Sequence, residues 1–312
     1  MRRALRGFLW AIILCVIWAG PCAAGEKVRL AIPATALSML PVYLAQGLAL
    51  FADVGLEVEG IATQGAGLEI KALLADQVDF AFTGGDAILA AIQQGAQLAI
   101  VFSGMNRPVV NWAMAREAAM QRGLAARNPL DQKYRALKGL TIGLDQRGAL
   151  AERLAEYALR KVGLTPGSDV KFVSLGAGPE WLTRLGSGRA DVALGVVPLP
   201  EMAVAQGKAI LLVDNARGED PAFPEFLMGN LVARRDYLER NPGTVRKMVL
   251  AMYRANRWAL ANPPEAVADV LQPFLSRIEP SALLTGVKAV LPAITPHGKT
   301  TERAVDITGE VL

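Results

Sequence analysis

The chain is predicted to fold as an α/β protein of two similar, hinged lobes with mostly parallel sheets, and three observations predict it. The first is an internal repeat: Val28 to Val101 and Leu140 to Val213 follow one plan. In the two copies Val54-Gly55-Leu56 answers Val162-Gly163-Leu164, and Gly65-Ala66-Gly67-Leu68-Glu69 answers Gly176-Ala177-Gly178-Pro179-Glu180. Further on, Asp79-Phe80-Ala81-Phe82 answers Asp191-Val192-Ala193-Leu194, and Gln94-Gly95 answers Gln206-Gly207. Two copies of this length are too few for a solenoid and read as two lobes. The second observation is that short strand-like runs alternate with amphipathic helices inside each copy, the pattern of βαβ units and a largely parallel sheet. The third is a strand-like segment after each copy. Trp112-Ala113-Met114-Ala115-Arg116 compares with Asn230-Leu231-Val232-Ala233-Arg234, so the backbone is expected to cross between lobes twice.

In order, Val28 to Ile32 alternates as a strand closed by Pro33, and a loop from Ala34 to Met39 follows. Leu40, Leu44, Leu48 and Phe51 form the stripe of one amphipathic helix, with Gly55 as its left-handed stop. Leu56 to Glu59 is a half-exposed strand, and the Gln64-Gly65-Ala66-Gly67 turn opens a helix through Leu74. A strand at Asp79 to Phe82, a helix from Ala87 to Gln94 and a strand at Leu98 to Phe102 complete the first copy. Val109 to Arg116 reads as a connecting strand and Arg122 to Arg135 as a polar helical stretch. The second copy places strands at Leu140 to Leu144, Val170 to Leu175, Asp191 to Val196 and Ile210 to Val213. Its first helix turns Leu150, Leu154 and Tyr157 inward and stops at Gly163. A strand at Phe226 to Ala233 precedes a helical tail, in which Asn262-Pro263-Pro264-Glu265 reads as a helix start with Asn262 as cap. The expected division is residues 1–24, then 25–108 with 227–312 as one lobe and 109–226 as the other.

Residues 1–24 carry a targeting pattern. Arg2, Arg3 and Arg6 precede an uncharged run from Phe8 to Ala19, and Cys22-Ala23-Ala24 supplies small residues for cleavage near Ala24. The run is shorter than the roughly 20 residues of a spanning helix. Cys15 and Cys22 are the only cysteines, so cleavage would leave no disulfide and no thiolate metal site; Pro21 beside Cys22 fits lipid attachment poorly. Without the three leading arginines the balance falls from 33 to 30 basic residues against 29 acidic, a net charge of about +1. That balance gives no electrostatic case for a nucleic-acid partner.

Strand-to-helix loops lie at the carboxyl ends of the strands, where open α/β sheets bind ligands. The candidates on them are Ser38, Gln64, Gly65, Thr83, Gly84, Asp86 and Asn106 in the first copy, and Arg147, Gly148, Gly176 and Val197 in the second. The glycines admit a ligand close to backbone N–H groups at helix starts, or simply make tight turns. Ser38 and Thr83 are placed either to bond an oxygen-rich ligand or to cap the following helix. Asp86 is a cap or a partner for a ligand amine. A cleft-facing Arg147 would grip two oxygens of a carboxylate or sulfonate; a solvated one would not. Trp112 and Trp181 either stack a flat ligand or pack in the core. The sole histidine, His297, has no serine or cysteine partner in sequence, and there is no phosphate-binding loop, so no catalytic or cofactor site is expected.

The Pro41-Val42-Tyr43-Leu44-Ala45 helix start, Val54-Gly55-Leu56-Glu57-Val58, the Gly65-Ala66-Gly67 turn, Val78-Asp79-Phe80-Ala81-Phe82 and Gln94-Gly95-Ala96 together resemble periplasmic solute-binding proteins of ABC importers. The branch resembled is the nitrate/sulfonate/taurine type, which includes receptors and enzymes for thiamine pyrimidine precursors. The resemblance implies a type II binding-protein fold that closes over one small molecule and presents it to an inner-membrane permease and its ATPase. It implies a periplasmic, monomeric protein with no catalytic residue, metal or cofactor. A small organic anion is the expected ligand, with a pyrimidine as the alternative. The pyrimidine-synthesising members resembled are iron-dependent, with a cysteine-rich stretch that residues 25–312 lack.

Overall fold

The computed structural model describes residues 25–33, 36–63, 67–176 and 178–312, with the backbone alone at Pro179 and Gly186. The strands are β1 (Glu26–Ile32), β2 (Leu56–Ala62), β3 (Phe80–Thr83), β4 (Leu98–Met105), β5 (Val110–Ala115), β6 (Thr141–Leu144), β7 (Lys171–Ser174), β8 (Val192–Val196), β9 (Ala209–Val213) and β10 (Gly229–Arg234). Between them lie α1 (Leu40–Gly47), α2 (Leu50–Asp53), α3 (Leu68–Leu74), α4 (Gly85–Gln93), α5 (Arg116–Gln121), α6 (Leu130–Arg135), α7 (Leu150–Lys161), α8 (Pro179–Gly186) and α9 (Leu199–Ala205). The tail forms α10 (Arg235–Arg240), α11 (Pro242–Ala261), α12 (Pro264–Leu271), α13 (Pro280–Val290) and α14 (Glu302–Val311).

Two five-stranded sheets result, ordered β2-β1-β3-β10-β4 and β7-β6-β8-β5-β9. In each sheet four strands run in one sense, and the fifth, β10 or β5, is antiparallel to both its neighbours. The sheets are therefore mixed, and the reversed strand of each is the one that arrives from the other lobe. The backbone crosses after β4 and again after β9, as the repeated connecting segment led one to expect. The register corrects that comparison by one residue. Asn111 lies opposite Gly195 and Asn230 opposite Thr83, so Asn111, and not Trp112, is the counterpart of Asn230. Both strands are buried on both faces and read as nearly continuous apolar runs, which leaves no polar alternation to mark the register.

Strand alternation splits each lobe's core into two layers. In the first lobe Leu30, Phe80, Phe82 and Leu231 face α1, α11, α12 and α13, while Ala31, Ala81 and Val232 face α3 and α4. In the second, Trp112, Ile142 and Val192 pack under α7, and Ala113 and Ala193 under α8 and α9. Trp112 and Trp181 are thus core residues. The Trp181 indole N–H donates to the Leu194 carbonyl oxygen at 3.0 Å, and Trp112 meets Tyr134 edge-on at 5.3 Å.

Three local expectations are corrected. The single helix expected up to Phe51 is two, α1 and α2, divided where Ala49 takes a left-handed φ of 56°. The stretch expected to be helical near residues 122–135 is a turn up to α6, with Gly123 at φ 63° and the Asn128 side-chain oxygen accepting from the Ala125 N–H at 2.7 Å. Asn262 does not cap α12, whose cap is Pro263; its amide instead donates to the Trp258 carbonyl at 2.9 Å and closes α11. The last helix, α14, leans on the second lobe: Val311 joins its core, and the Tyr157 hydroxyl donates to Glu310 at 2.7 Å.

Candidate functional site

The carboxyl ends of the two sheets face one another. Leu37 after β1, Val197 after β8 and Ala216 after β9 share one buried cluster with Val109 of the first crossing. Gly286 of α13 sits between the two sides, because a Cβ there would lie 3.0 Å from Leu37 and 3.1 Å from Pro198. Val197 is therefore buried in the contact between lobes, and its peptide bond to Pro198 is cis.

On the first-lobe side, Ser38 lies half-buried in a short 3-10 turn (Leu37–Met39) ahead of α1 and caps nothing through its side chain. Thr83 neither caps α4 nor offers its proton to the cleft. Its hydroxyl donates to the buried Glu69 carboxylate at 2.5 Å, and Thr63 donates to the other oxygen at 3.3 Å. Gly84 is the extended residue at the start of α4, and the Gly85 N–H donates to Leu227 O at 2.7 Å. Asp86 stands in the first turn of α4 with no hydrogen-bond partner for its carboxylate among the described residues, a position the helix dipole favours. Asn106 is pinned in the first crossing by its backbone: its N–H donates to Ala293 O at 3.0 Å, and its oxygen accepts from Phe226 N–H at 2.7 Å. Gln64 and Gly65 lie outside the described residues.

On the second-lobe side Arg147 already holds a carboxylate, that of Glu152. Its Nε and Nη2 lie 2.7 and 2.6 Å from Oε1, while the Gly148 N–H donates to Oε2 at 2.5 Å. Burial by itself raises the Glu152 carboxyl, yet Arg147 and the Gly148 N–H outweigh it and hold the group below the usual range. Gly176 has φ 77°, and a Cβ there would meet Glu180 Oε2 at 3.0 Å, so its glycine serves a tight turn. The pattern is general. Of the six helices that follow the carboxyl ends of the parallel strands, α3, α4, α7, α8 and α9 carry Glu69, Asp86, Glu152, Glu180 and Glu201 in their first turns, and α1 has no acid there. The positive helix ends at the cleft are already met by the chain's own carboxylates.

Sequence reasoning missed Asn111. Fully buried at the start of β5, its amide nitrogen donates to Glu201 Oε1 at 2.7 Å and Asp214 Oδ1 at 3.2 Å, while its oxygen accepts from the Ala216 N–H at 3.2 Å. Asn215 adds a bond to Val110 O at 2.8 Å. These contacts tie α9 to both crossings. Burial is the main influence on Glu201 and Asp214 and raises both carboxyls above the usual range. Asn230, the counterpart in the first lobe, reaches Thr83 O only at 3.5 Å, and its own oxygen is buried without a partner. The signal that could have found Asn111 is an amide inside an apolar strand, which requires buried partners.

His297 is exposed in the tail, and no three His, Cys, Asp or Glu side chains among the described residues are grouped to hold a metal. A surface cavity of about 290 Å³ beside Tyr134, Lys161 and Asp220 lies at the C-terminal end of α7, the edge of the sheet opposite the loops considered above.

Comparison with known proteins agrees with this arrangement. The chain is 23% identical over 265 residues to "Putative binding protein YtlA" of Bacillus subtilis (strain 168), covering 84% of this chain and 75% of that one. The solved structure of the periplasmic aliphatic sulphonate binding protein SsuA from Escherichia coli superposes with a TM-score of 0.69 at 17% identity, over 91% of this chain and 90% of that one. A protein of Bordetella bronchiseptica RB50 gives a TM-score of 0.71 at 21% identity, over 92% and 89%. At these identities the likeness is one of fold, that of periplasmic binding proteins. A family model described as NMT1/THI5 like matches residues 37–266, from the turn before α1 into α12, and the chain belongs to that NMT1/THI5-like family.

Proposed function

We propose that the chain is the solute-binding component of an ABC importer. It captures a small organic anion, of the sulfonate or carboxylate class, between its lobes and delivers it to a membrane permease and its ATPase. In this reading residues 1–24 direct export and are cleaved near Ala24. The mature protein works as a periplasmic monomer whose moving bodies are residues 25–108 with 227–312 and residues 109–226. The observation that carries the reading is the facing of two equivalent sets of strand ends across a double crossing, an arrangement suited to closing over a solute without altering it. Two of the proteins named above carry binding-protein names, the Escherichia coli one outright and the Bacillus subtilis one as "Putative binding protein YtlA", which supports capture over catalysis. For an anion the best-suited groups are Ser38 and the acid-free start of α1; Arg147 joins only by exchanging Glu152 for the ligand. The ligand named for the Escherichia coli protein, an aliphatic sulphonate, supports the class.

A pyrimidine or thiamine precursor is the second reading, favoured by one observation. Asp86 is a carboxylate with no hydrogen-bond partner among the described residues, so a ligand bearing N–H donors would find an acceptor there. Thermal unfolding against panels of sulfonates, carboxylates and aminopyrimidines separates the two. A true ligand at a hundredfold excess over its Kd adds about 2.7 kcal/mol. The anion reading expects sulfonates or carboxylates to stabilise the protein, Arg147→Ala to weaken that effect and Asp86→Asn to spare it. Stabilisation by aminopyrimidines alone, abolished in Asp86→Asn, would replace it with the second reading. If neither panel has any effect and native mass spectrometry finds no carried solute, capture itself is wrong.

A further inference from the structure

We propose that α14 is a strap: it rides with the second lobe, and its seam against α4 of the first lobe gives as the lobes rock, so that the seam governs how far the cleft closes. The inference rests on the two-lobed capture proposed above, and it moves Glu302–Val311 from the first of the two bodies to the second. The tail belongs to the first lobe as far as Gly298. Its carbonyl accepts from the Ser103 N–H of β4 at 2.8 Å, and a Cβ there would lie 2.1 Å from the Phe102 ring. Lys299, Thr300 and Thr301 are then exposed, and α14 turns to the other lobe. Its buried residues are Ala304, Thr308 and Val311. Val311 is part of the second-lobe core, Ile307 packs against that core, and Glu310 accepts from the Tyr157 hydroxyl of α7 at 2.7 Å.

The contact with the first lobe is of another kind. An open cavity of about 570 Å³ separates the two helices, with Leu89, Ile92 and Gln93 of α4 on one wall and Val305, Asp306 and Gly309 of α14 on the other. Ile92 is left 41% exposed, and no hydrogen bond or ion pair joins the two helices among the described residues. Both are fastened instead to one residue of the second crossing. Leu227 donates its N–H to Thr308 Oγ1 at 3.0 Å and accepts from the Gly85 N–H at 2.7 Å. Tight packing at Leu227 with open space beyond it is the geometry of a pivot, because close-packed interiors resist deformation and movement collects where packing is absent. Since α4 begins at the cleft with Gly85 and Asp86, a shift along the seam is a shift of the cleft wall. Seam contacts that differ between two lobe angles bias the balance between them without touching the solute.

The test places pairs of nitroxide labels on exposed residues of three helices, Ala90→Cys on α4, Arg153→Cys on α7 and Arg303→Cys on α14, in a chain carrying Cys15→Ser and Cys22→Ser. Pulsed dipolar spectroscopy gives the distance distribution of each pair. The Arg153/Arg303 distribution should be single and narrow, and the Ala90/Arg303 distribution should spread as widely as that of Ala90/Arg153. Gly309→Trp adds an indole to the cavity from a position with nothing within 4 Å of its Cβ. It should shift or narrow both distances to residue 90 together and leave Arg153/Arg303 as it was. If Ala90/Arg153 spreads while residue 303 keeps its distance to residue 90 and not to residue 153, the strap is wrong and capture by rocking lobes stands. An unchanged Ala90/Arg153 distribution in Gly309→Trp overturns the strap as well. A single narrow Ala90/Arg153 distribution means that the lobes do not rock, which overturns both the strap and the reading it rests on.

Discussion

Asn111 and Asn230 occupy equivalent places in the two sheets, both fully buried, yet their side chains differ in what they bond. Leucine has the branching of asparagine but bulkier methyl ends, so Asn→Leu leaves no cavity and adds a similar overpacking cost of about 1–3 kcal/mol at both buried positions, and the difference between the two variants reads the bonds. Asn111→Leu removes a 2.7 Å bond to Glu201, a 3.2 Å bond to Asp214 and the acceptor of the Ala216 N–H. Hydrogen bonds to charged groups are worth about 1.5–3 kcal/mol and neutral ones about 0.5–1.5 kcal/mol. Taking the longer contacts at the low end, the loss sums to about 4 kcal/mol, in the range for leaving a buried carboxylate without its partner. Asn230→Leu removes only a 3.5 Å contact and, with it, an oxygen that has no partner, so its lost bonds are worth under about 1 kcal/mol and it should be about 3 kcal/mol less destabilising than Asn111→Leu. Urea unfolding followed by circular dichroism and tryptophan fluorescence measures both, the midpoint moving while the slope stays the same. Equal losses at the two sites, or a larger one at Asn230, would refute the view that the Asn111 network holds the crossings together.

Three further substitutions give expected outcomes, one beside Asn111 and two on helices of the first lobe. Burial raises the Glu201 carboxyl in the folded state, so the folded protein favours its protonated form. The stability that form contributes is complete below the unfolded carboxylate value of about 4 and is lost as pH rises through the folded value. Glu201→Gln keeps an acceptor for Asn111 without the charge; it should melt higher than wild type at pH 7 and converge with it near pH 4, and a lower melting point at pH 7 would contradict this. At Gly85 a Cβ would lie 2.3 Å from the Leu227 Cβ and 2.9 Å from its carbonyl oxygen, so Gly85→Ala must push α4 off the returning chain. It should cost about 2–3 kcal/mol in urea unfolding. Gly243→Ala, with nothing within 4 Å, should be neutral or slightly stabilising.

The sequence by itself determined the two-lobed plan, the strand and helix alternation and the double crossing. These follow from apolar periodicity and turn residues, which are local, and from a repeat that displays them twice. The site was less legible: the helix period puts Glu152 on the outward side of its helix, and the structure buries it against Arg147 and the Gly148 N–H. Only the tertiary structure decided the sense and register of β5 and β10, whose apolar sequences look alike from either face. It also decided which groups are free. Thr83 meets Glu69, Gly85 meets Leu227, and Asn111 meets residues 90 and 103 positions away, because buried polar atoms take whatever partner packing brings within reach. That choice depends on how layers close over one another, which no local pattern encodes. It is why Arg147, read from sequence as open to a ligand, is found already holding Glu152.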